Sequence, residues 1–193
     1  MNRSARRRRT LAFLALTLAL GLAACAAIEA APGVSSGIVD PPDLGDPRTS
    51  ENGHVPANEP VSPFDEHLPT IANLQPDLLA ALQAAATAAA EDGVPMVVTS
   101  GWRSARYQQV LLDEATIRYG SLEEARKWVN TPELSLHVTG NAVDVGYTDA
   151  NSWLSQHGAD YGLCQTYANE MWHFELATEP GGTCPPQLTD AAG

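Results

Sequence analysis

The chain reads as an α+β domain in which helices cover one face of a small, mainly antiparallel sheet. Three observations carry that reading. An alanine-rich stretch after Pro76 repeats its apolar residues at helical spacing, two runs near residues 141–147 and 171–177 alternate with period two, and helices mix with strands without βαβ-length repeats. At 193 residues and 20.5 kDa there is room for one domain of ordinary size plus further segments. An apolar content of 44% is enough to pack a core.

Taken in order, the folded part is expected to begin near Phe64. Pro76 opens a helix in which Leu78, Leu82, Ala85 and Ala89 share a face, and Gly93 is placed to end it. Met96-Val97-Val98 is a short buried strand running into Ser100-Gly101. A second helix covers about Ser104 to Arg118, with Tyr107, Leu111 and Ala115 on one stripe. Ser121 and Glu124 form a capping box for a third helix through Trp128. Asn141 to Tyr147 alternates as a strand, a further helix runs from about Asp149 to His157, and Met171 to Ala177 alternates again.

The N-terminal part has a different character. Eleven Lys and Arg stand against 23 Asp and Glu, a formal charge of −12, yet Arg3 and Arg6 to Arg9 precede every acid. The rest of the chain is therefore more acidic still, which excludes charge-driven binding of nucleic acid or of an anionic membrane. Arg6 to Arg9 are followed by 14 mostly apolar residues from Leu11 to Ala24. A spanning helix needs roughly 20, so this is the pattern of an export signal. Its end, Leu22-Ala23-Ala24-Cys25, resembles the lipobox of bacterial lipoproteins. That resemblance implies a lipidated Cys25 as the mature N-terminus, tethered to the outer face of the cell membrane. The alternative is a plain secretory signal cut at a nearby Ala-x-Ala, with Cys25 discarded.

The cysteine count agrees with export. If Cys25 takes a lipid, Cys164 and Cys184 remain as one pair for a disulfide in an oxidising compartment. Between the signal and the domain, residues 26–63 hold seven of the 14 prolines, four glycines and six acids without hydrophobic periodicity. They are expected to be an extended linker, with the domain occupying residues 64–193.

Two segments depart from the rule that buried strands are apolar. In Asn141-Ala142-Val143-Asp144-Val145-Gly146, period two puts Val143 and Val145 on one face and Asp144 on the other. In Met171 to Leu176 it puts Trp172, Phe174 and Leu176 inward and His173 and Glu175 outward. His137 lies seven residues before Asp144, beyond a turn at Gly140. Two imidazoles and a carboxylate form a set that zinc favours, and three protein ligands leave a fourth position for water. Ordinary hydrogen-bonded histidines and a turn-capping Asp144 are the other reading of the same residues.

Longer motifs decide between them. Residues 135–144 fit S-x-H-x-x-G-x-A-x-D, Glu170 to His173 fit E-x-W-H, and Ser100-Gly101-Trp102-Arg103-Ser104 is followed by Gln108. In this order the segments resemble the VanY-type D-alanyl-D-alanine carboxypeptidases, in the zinc peptidase group of lysostaphin-like enzymes and the hedgehog fold. The resemblance runs from about Pro76 to Leu176. It implies that His137, Asp144 and His173 bind one zinc ion, that Glu170 is the general base, and that Arg103 stabilises the oxyanion. Ser135 and Gln108 are supporting residues, ordering the backbone at His137 and holding Arg103. One tension is visible: Glu170 is an odd number of residues from His173, so it must lie in the turn before the strand, and Glu175 has the parity to rival it.

The function expected from the resemblance is a zinc-dependent carboxypeptidase. It would remove the terminal D-Ala from peptidoglycan stem peptides by metal-activated water, as a membrane-tethered monomer. An endopeptidase on the same scaffold, or a non-catalytic zinc-binding wall lipoprotein, are the alternatives.

Overall fold

The computed structural model describes residues 45–193; the expected export signal, Cys25 and the first part of the expected linker lie outside them. The first α-helix, α1 (Pro69–Ala72), is a single turn with proline in its opening turn, where a missing N–H removes no helical hydrogen bond. α2 (Pro76–Glu91) starts the same way and stops at Asp92, with Gly93 behind it at φ 76°. Its Leu78, Leu82, Ala85 and Ala89 are buried, as their spacing predicts. β1 (Val97–Ser100) leads into α3 (Ala105–Tyr119), N-capped by the Ser104 hydroxyl, which accepts from the Tyr107 amide at 3.1 Å. Then come α4 (Leu122–Arg126), β2 (Ala142–Gly146), α5 (Thr148–His157), β3 (Leu163–Gln165) and β4 (His173–Leu176).

The strands form one sheet in the order β1-β2-β4-β3, each pair antiparallel. Val98 sits opposite Val145 and Val143 opposite Phe174, and all four are buried beneath α2 and α5. Burial of each such side chain stabilises by about 1.5–3 kcal/mol, so this face drives assembly of the sheet. Period two then sends Asp144 and His173 to the opposite face. They are direct cross-strand partners in the β2–β4 ladder, and Ser100 of β1 faces Asp144 from the other side. The sheet thus assembles the polar residues of three strands into one patch.

Four local expectations are corrected. Residues 45–63 are not an extended linker but are folded onto the domain. Val61 and Val98 exchange backbone hydrogen bonds of 3.0 and 2.8 Å along the free edge of β1, and Pro63 is fully buried. Ser104 donates its amide to the Asn52 carbonyl and its hydroxyl to Asn52 Oδ1 at 2.7 Å, while His54 Nδ1 meets the Tyr107 hydroxyl at 2.9 Å. Arg48 pairs with Glu114 of α3. The prolines fix the path of a clasp rather than stiffening a spacer.

The stripe on α3 is Tyr107, Gln108, Leu112 and Ala115, with Leu111 only half-buried, because the Gln108 amide is used inside the protein. The third helix ends at Arg126, before Trp128. Ser121 does cap it, but the Glu124 carboxylate turns to Lys127 at 2.7 Å. On β4 only Phe174 goes inward; Trp172 precedes the strand and Leu176 ends it, and both stay exposed.

The Cys164–Cys184 disulfide is formed, tying β3 to the C-terminal segment across 20 residues. Replacing Cys184 with serine is expected to lower unfolding stability by about 3 kcal/mol, the loop-closure value for that length. Denaturant unfolding of parent and variant under non-reducing conditions measures it.

Candidate metal centre

The polar face of the sheet meets two loops. The first follows β1. Its Gly101 amide donates to Thr70 Oγ1 at 3.0 Å and the Trp102 amide to the Thr70 carbonyl at 2.9 Å, so the single turn of α1 fixes the loop. A Cβ on Gly101 would lie 2.1 Å from the Thr70 carbonyl oxygen, which is why the motif has glycine here. The second loop carries His137. At its far end Gly140 adopts φ 74°, and its carbonyl accepts from the Gln75 amide at 2.8 Å. Any side chain there would meet the Asn73 carbonyl at 2.3 Å, so only glycine lets the loop press on the turn between α1 and α2. The two loops are joined through the His137 carbonyl, which accepts the Arg103 amide at 3.1 Å.

His137, Asp144 and His173 are all buried, and their donor atoms converge. His137 Nε2 lies 3.2 Å from His173 Nδ1 and 3.3 Å from Asp144 Oδ1, and His173 Nδ1 lies 3.2 Å from Asp144 Oδ1. Ligands about 2.0–2.1 Å from a tetrahedral zinc stand about 3.3–3.4 Å apart, so the triangle has the dimensions of one tetrahedral face. The tautomers suit it as well. His137 Nδ1 sits 2.8 Å from the Gly101 carbonyl, which can only accept, so the proton is on Nδ1 and Nε2 presents its lone pair. His173 Nε2 sits 2.8 Å from Glu175 Oε1, which directs Nδ1 into the triangle by the same logic. Glu175 is two residues along β4 from His173, on the same face, and it meets the ring nitrogen that points away from the triangle. Glu175→Ala is expected to weaken zinc binding about 10–100-fold, read by competition with a chromophoric chelator.

Glu170 lies in the turn ahead of β4, resolving the parity conflict. Its amide donates to the Tyr167 carbonyl at 3.3 Å and its carbonyl accepts from the His173 amide at 3.2 Å. The carboxyl is buried, with Oε2 4.0 Å from His173 Nδ1 and Oε1 lacking a hydrogen-bond partner among the described residues. Arg103 spans the other side: Nε donates to Ser100 Oγ at 2.7 Å, one terminal nitrogen to Gln108 Oε1 at 3.1 Å, and the other to Asp144 Oδ2 at 2.7 Å. Three of its five N–H groups are committed, leaving two. Gln108 is itself held by donating to the Asn130 carbonyl at 2.8 Å. Asp144 therefore gives one oxygen to the triangle and the other to Arg103. Ser135 is buried next to His137, and its carbonyl accepts from the Val138 amide at 3.1 Å.

The charges are strongly coupled. Burial pushes Glu170 up to about 7, with the negative charge of Asp144 adding to it and His173 and Arg103 opposing. Burial also works against ionised Asp144, but His137, His173 and Arg103 outweigh it and hold its pKa well below the usual carboxylate range. Burial lowers His137, helped by Arg103. Burial opposes the charged form of His173 too, yet its hydrogen bonds to Asp144 and Glu175 raise it to about 9.

Of two further contributors, sequence reasoning missed Thr70 and named Tyr167 only as a residue that could reach the substrate. Thr70 belongs to a helix too short to show a period. Tyr167 packs its ring 4.8 Å from that of His173 and hydrogen-bonds Glu175, and burial with the charges of Glu175 and Glu170 pushes its hydroxyl up to about 12. The whole centre opens into a cleft of about 470 Å³ that continues along α3.

The sequence and the fold are similar to those of known proteins. A family model described as D-alanyl-D-alanine carboxypeptidase, VanY, matches residues 71–180. A D-alanyl-D-alanine carboxypeptidase of Enterococcus faecalis (strain ATCC 700802 / V583) is 30% identical over 112 residues, which is 45% of this chain and 42% of that protein. The match thus spans less than half the length of that relative. Among solved structures, VanYB in complex with D-alanine-D-alanine superposes with a TM-score of 0.50 at 27% identity, covering 53% of this chain and 70% of the other. A zinc-bound mutant of the vancomycin resistance D,D-pentapeptidase VanY gives 0.51 at 26% identity, covering 63% and 84%.

Proposed function

The chain belongs to the VanY family of D-alanyl-D-alanine carboxypeptidases, and from that premise we propose that it is a zinc-dependent carboxypeptidase removing the terminal D-Ala of peptidoglycan stem peptides. The observation that carries the proposal is the triangle of His137 Nε2, Asp144 Oδ1 and His173 Nδ1 on the floor of a cleft, with a Glu170 oxygen beside it that has no hydrogen-bond partner among the described residues. These three residues would hold one zinc ion. When bound, zinc supplies Lewis acidity, bringing the pKa of a water molecule to about 7 and polarising the scissile carbonyl.

The residues divide the remaining work. Glu170, buried and with a pKa near neutral, takes the proton of the attacking water and returns it to the leaving amine of D-Ala. The two uncommitted N–H groups of Arg103 face the charge that develops on the carbonyl oxygen, in a site where few waters compete. Ser100, Gln108 and Asp144 keep the guanidinium from swinging away. The donor set lies within one chain, which supports action as a monomer. Export and a lipid tether at Cys25 are part of the proposal and rest on the sequence of residues 1–25.

The test uses the full chain loaded with zinc, incubated with a stem pentapeptide ending in D-Ala-D-Ala, with products identified by mass. Loss of one alanine, stopped by a chelator, is the expected outcome. Internal fragments would replace the proposal with an endopeptidase. Intact peptide in the presence of stoichiometric zinc would replace it with a metal-binding wall protein.

A further inference from the structure

The cleft is longer than the metal centre needs. Beyond Arg103 and Gln108 its wall is the second half of α3 and the residues after α4, including Leu111, Ala115, Tyr119, Trp128 and Val129. At that far end Tyr119 and Trp128 stack with ring centroids 6.0 Å apart and planes within 11°, although both stay partly exposed. Arg118 places its guanidinium 5.8 Å from the centre of the Tyr119 ring. It lines the cleft, and no carboxylate among the described residues pairs with it. The nearby acid of the same wall, Glu114, is taken by Arg48. The other cation of the cleft, Arg103, is held by Asp144. In a chain of formal charge −12, the cleft therefore keeps one guanidinium that no carboxylate among the described residues pairs with.

Its position defines what it can meet. Gln108 touches Arg103, and Arg118 is ten residues further along α3, about 15 Å at the helical rise. The side chain leans back toward the helix N-terminus, which shortens that span. An extended peptide covers about 3.3–3.6 Å per residue. A substrate cut at the metal centre and running along α3 thus brings to Arg118 the group three to four residues before the scissile bond. Building on the carboxypeptidase reading, we propose that Arg118, set over the Tyr119 ring that stacks on Trp128, is a specificity residue that selects peptides carrying a free carboxylate three to four residues on the N-terminal side of the cleaved bond. The aromatic pair holds the aliphatic part of that residue, and the guanidinium pairs with its charge.

The test compares two peptides of equal length ending in D-Ala-D-Ala, one bearing glutamate at that upstream position and the other glutamine, on the zinc-loaded full chain. The parent is expected to favour the acid by about three- to tenfold in kcat/KM, mainly through KM, as befits a partly exposed ion pair. The preference should shrink as salt is raised. Arg118→Gln should bring the ratio to about one, and Arg118→Lys should keep part of it. Equal use of both peptides by the parent, an unchanged ratio in Arg118→Gln, or a preference that follows an N-terminal sugar rather than the carboxylate would overturn the inference. If neither peptide is cut, the carboxypeptidase reading fails by itself. Calorimetric titration of the same two peptides into the zinc-loaded protein then decides the question for Arg118, since equal affinities would overturn it.

Discussion

Replacing Glu170 with alanine is expected to lower kcat at least a hundredfold while leaving zinc content at that of the parent. The carboxyl is buried, within reach of the ligand triangle but outside it, its nearest oxygen 4.0 Å from His173 Nδ1. Removing it takes away no donor to the metal. On the proposed reading, what disappears is the proton acceptor beside the triangle, an effect of about 10²–10⁴ for general acid–base work. Metal analysis of the purified variant together with steady-state kinetics separates the two. The contrast with Glu175 sharpens the result, because that carboxylate contacts the far nitrogen of the His173 ring and its loss should appear in metal affinity instead. An Glu170→Ala protein with parental turnover would transfer the proton-accepting role to Glu175.

The second large effect belongs to Asp144. Its two oxygens serve two partners, the histidine pair through Oδ1 and Arg103 through Oδ2 at 2.7 Å. Asp144→Ala is expected to lose stoichiometric zinc and all measurable turnover together. The metal-free variant should also be less stable than the metal-free parent by about 3–5 kcal/mol, because Arg103 keeps its buried charge but not its carboxylate. Denaturant unfolding of both proteins in excess chelator isolates that term from the metal. A variant that loses zinc yet unfolds at the parental midpoint would show that Ser100 and Gln108 alone satisfy the guanidinium.

Much of this was legible because local chemistry and tertiary role coincide. Proline at the start and glycine behind the end bound α2, and its small apolar side chains mark the buried face. In β2 the alternation of Val143, Asp144 and Val145 states both what is buried and what faces the centre. The odd offset of Glu170 from His173 even located a turn. Other features depend on partners distant in sequence and leave no period to read. The proline-rich residues 45–63 look like a spacer because their contacts are scattered single ones, such as hydrogen bonds, one ion pair, one buried proline and one edge pairing, not a repeating apolar face. β3 has three residues, too few for alternation to show, and α1 matters through one threonine. Trp172 and Leu176 have the parity of core residues but lie at or beyond the ends of a four-residue strand and stay exposed.

The clasp of residues 45–63 also ties the start of the described chain to the loop that aims Arg103. A pull on the chain from its N-terminal side is borne by Arg48 on Glu114 and by Asn52 on Ser104 before it reaches the sheet edge at Val61. Ser104 is the residue that starts α3 and adjoins Arg103, so tension delivered there acts on the loop that aims the guanidinium. The first described residues and the alignment of the guanidinium are thereby joined in one short stretch of backbone.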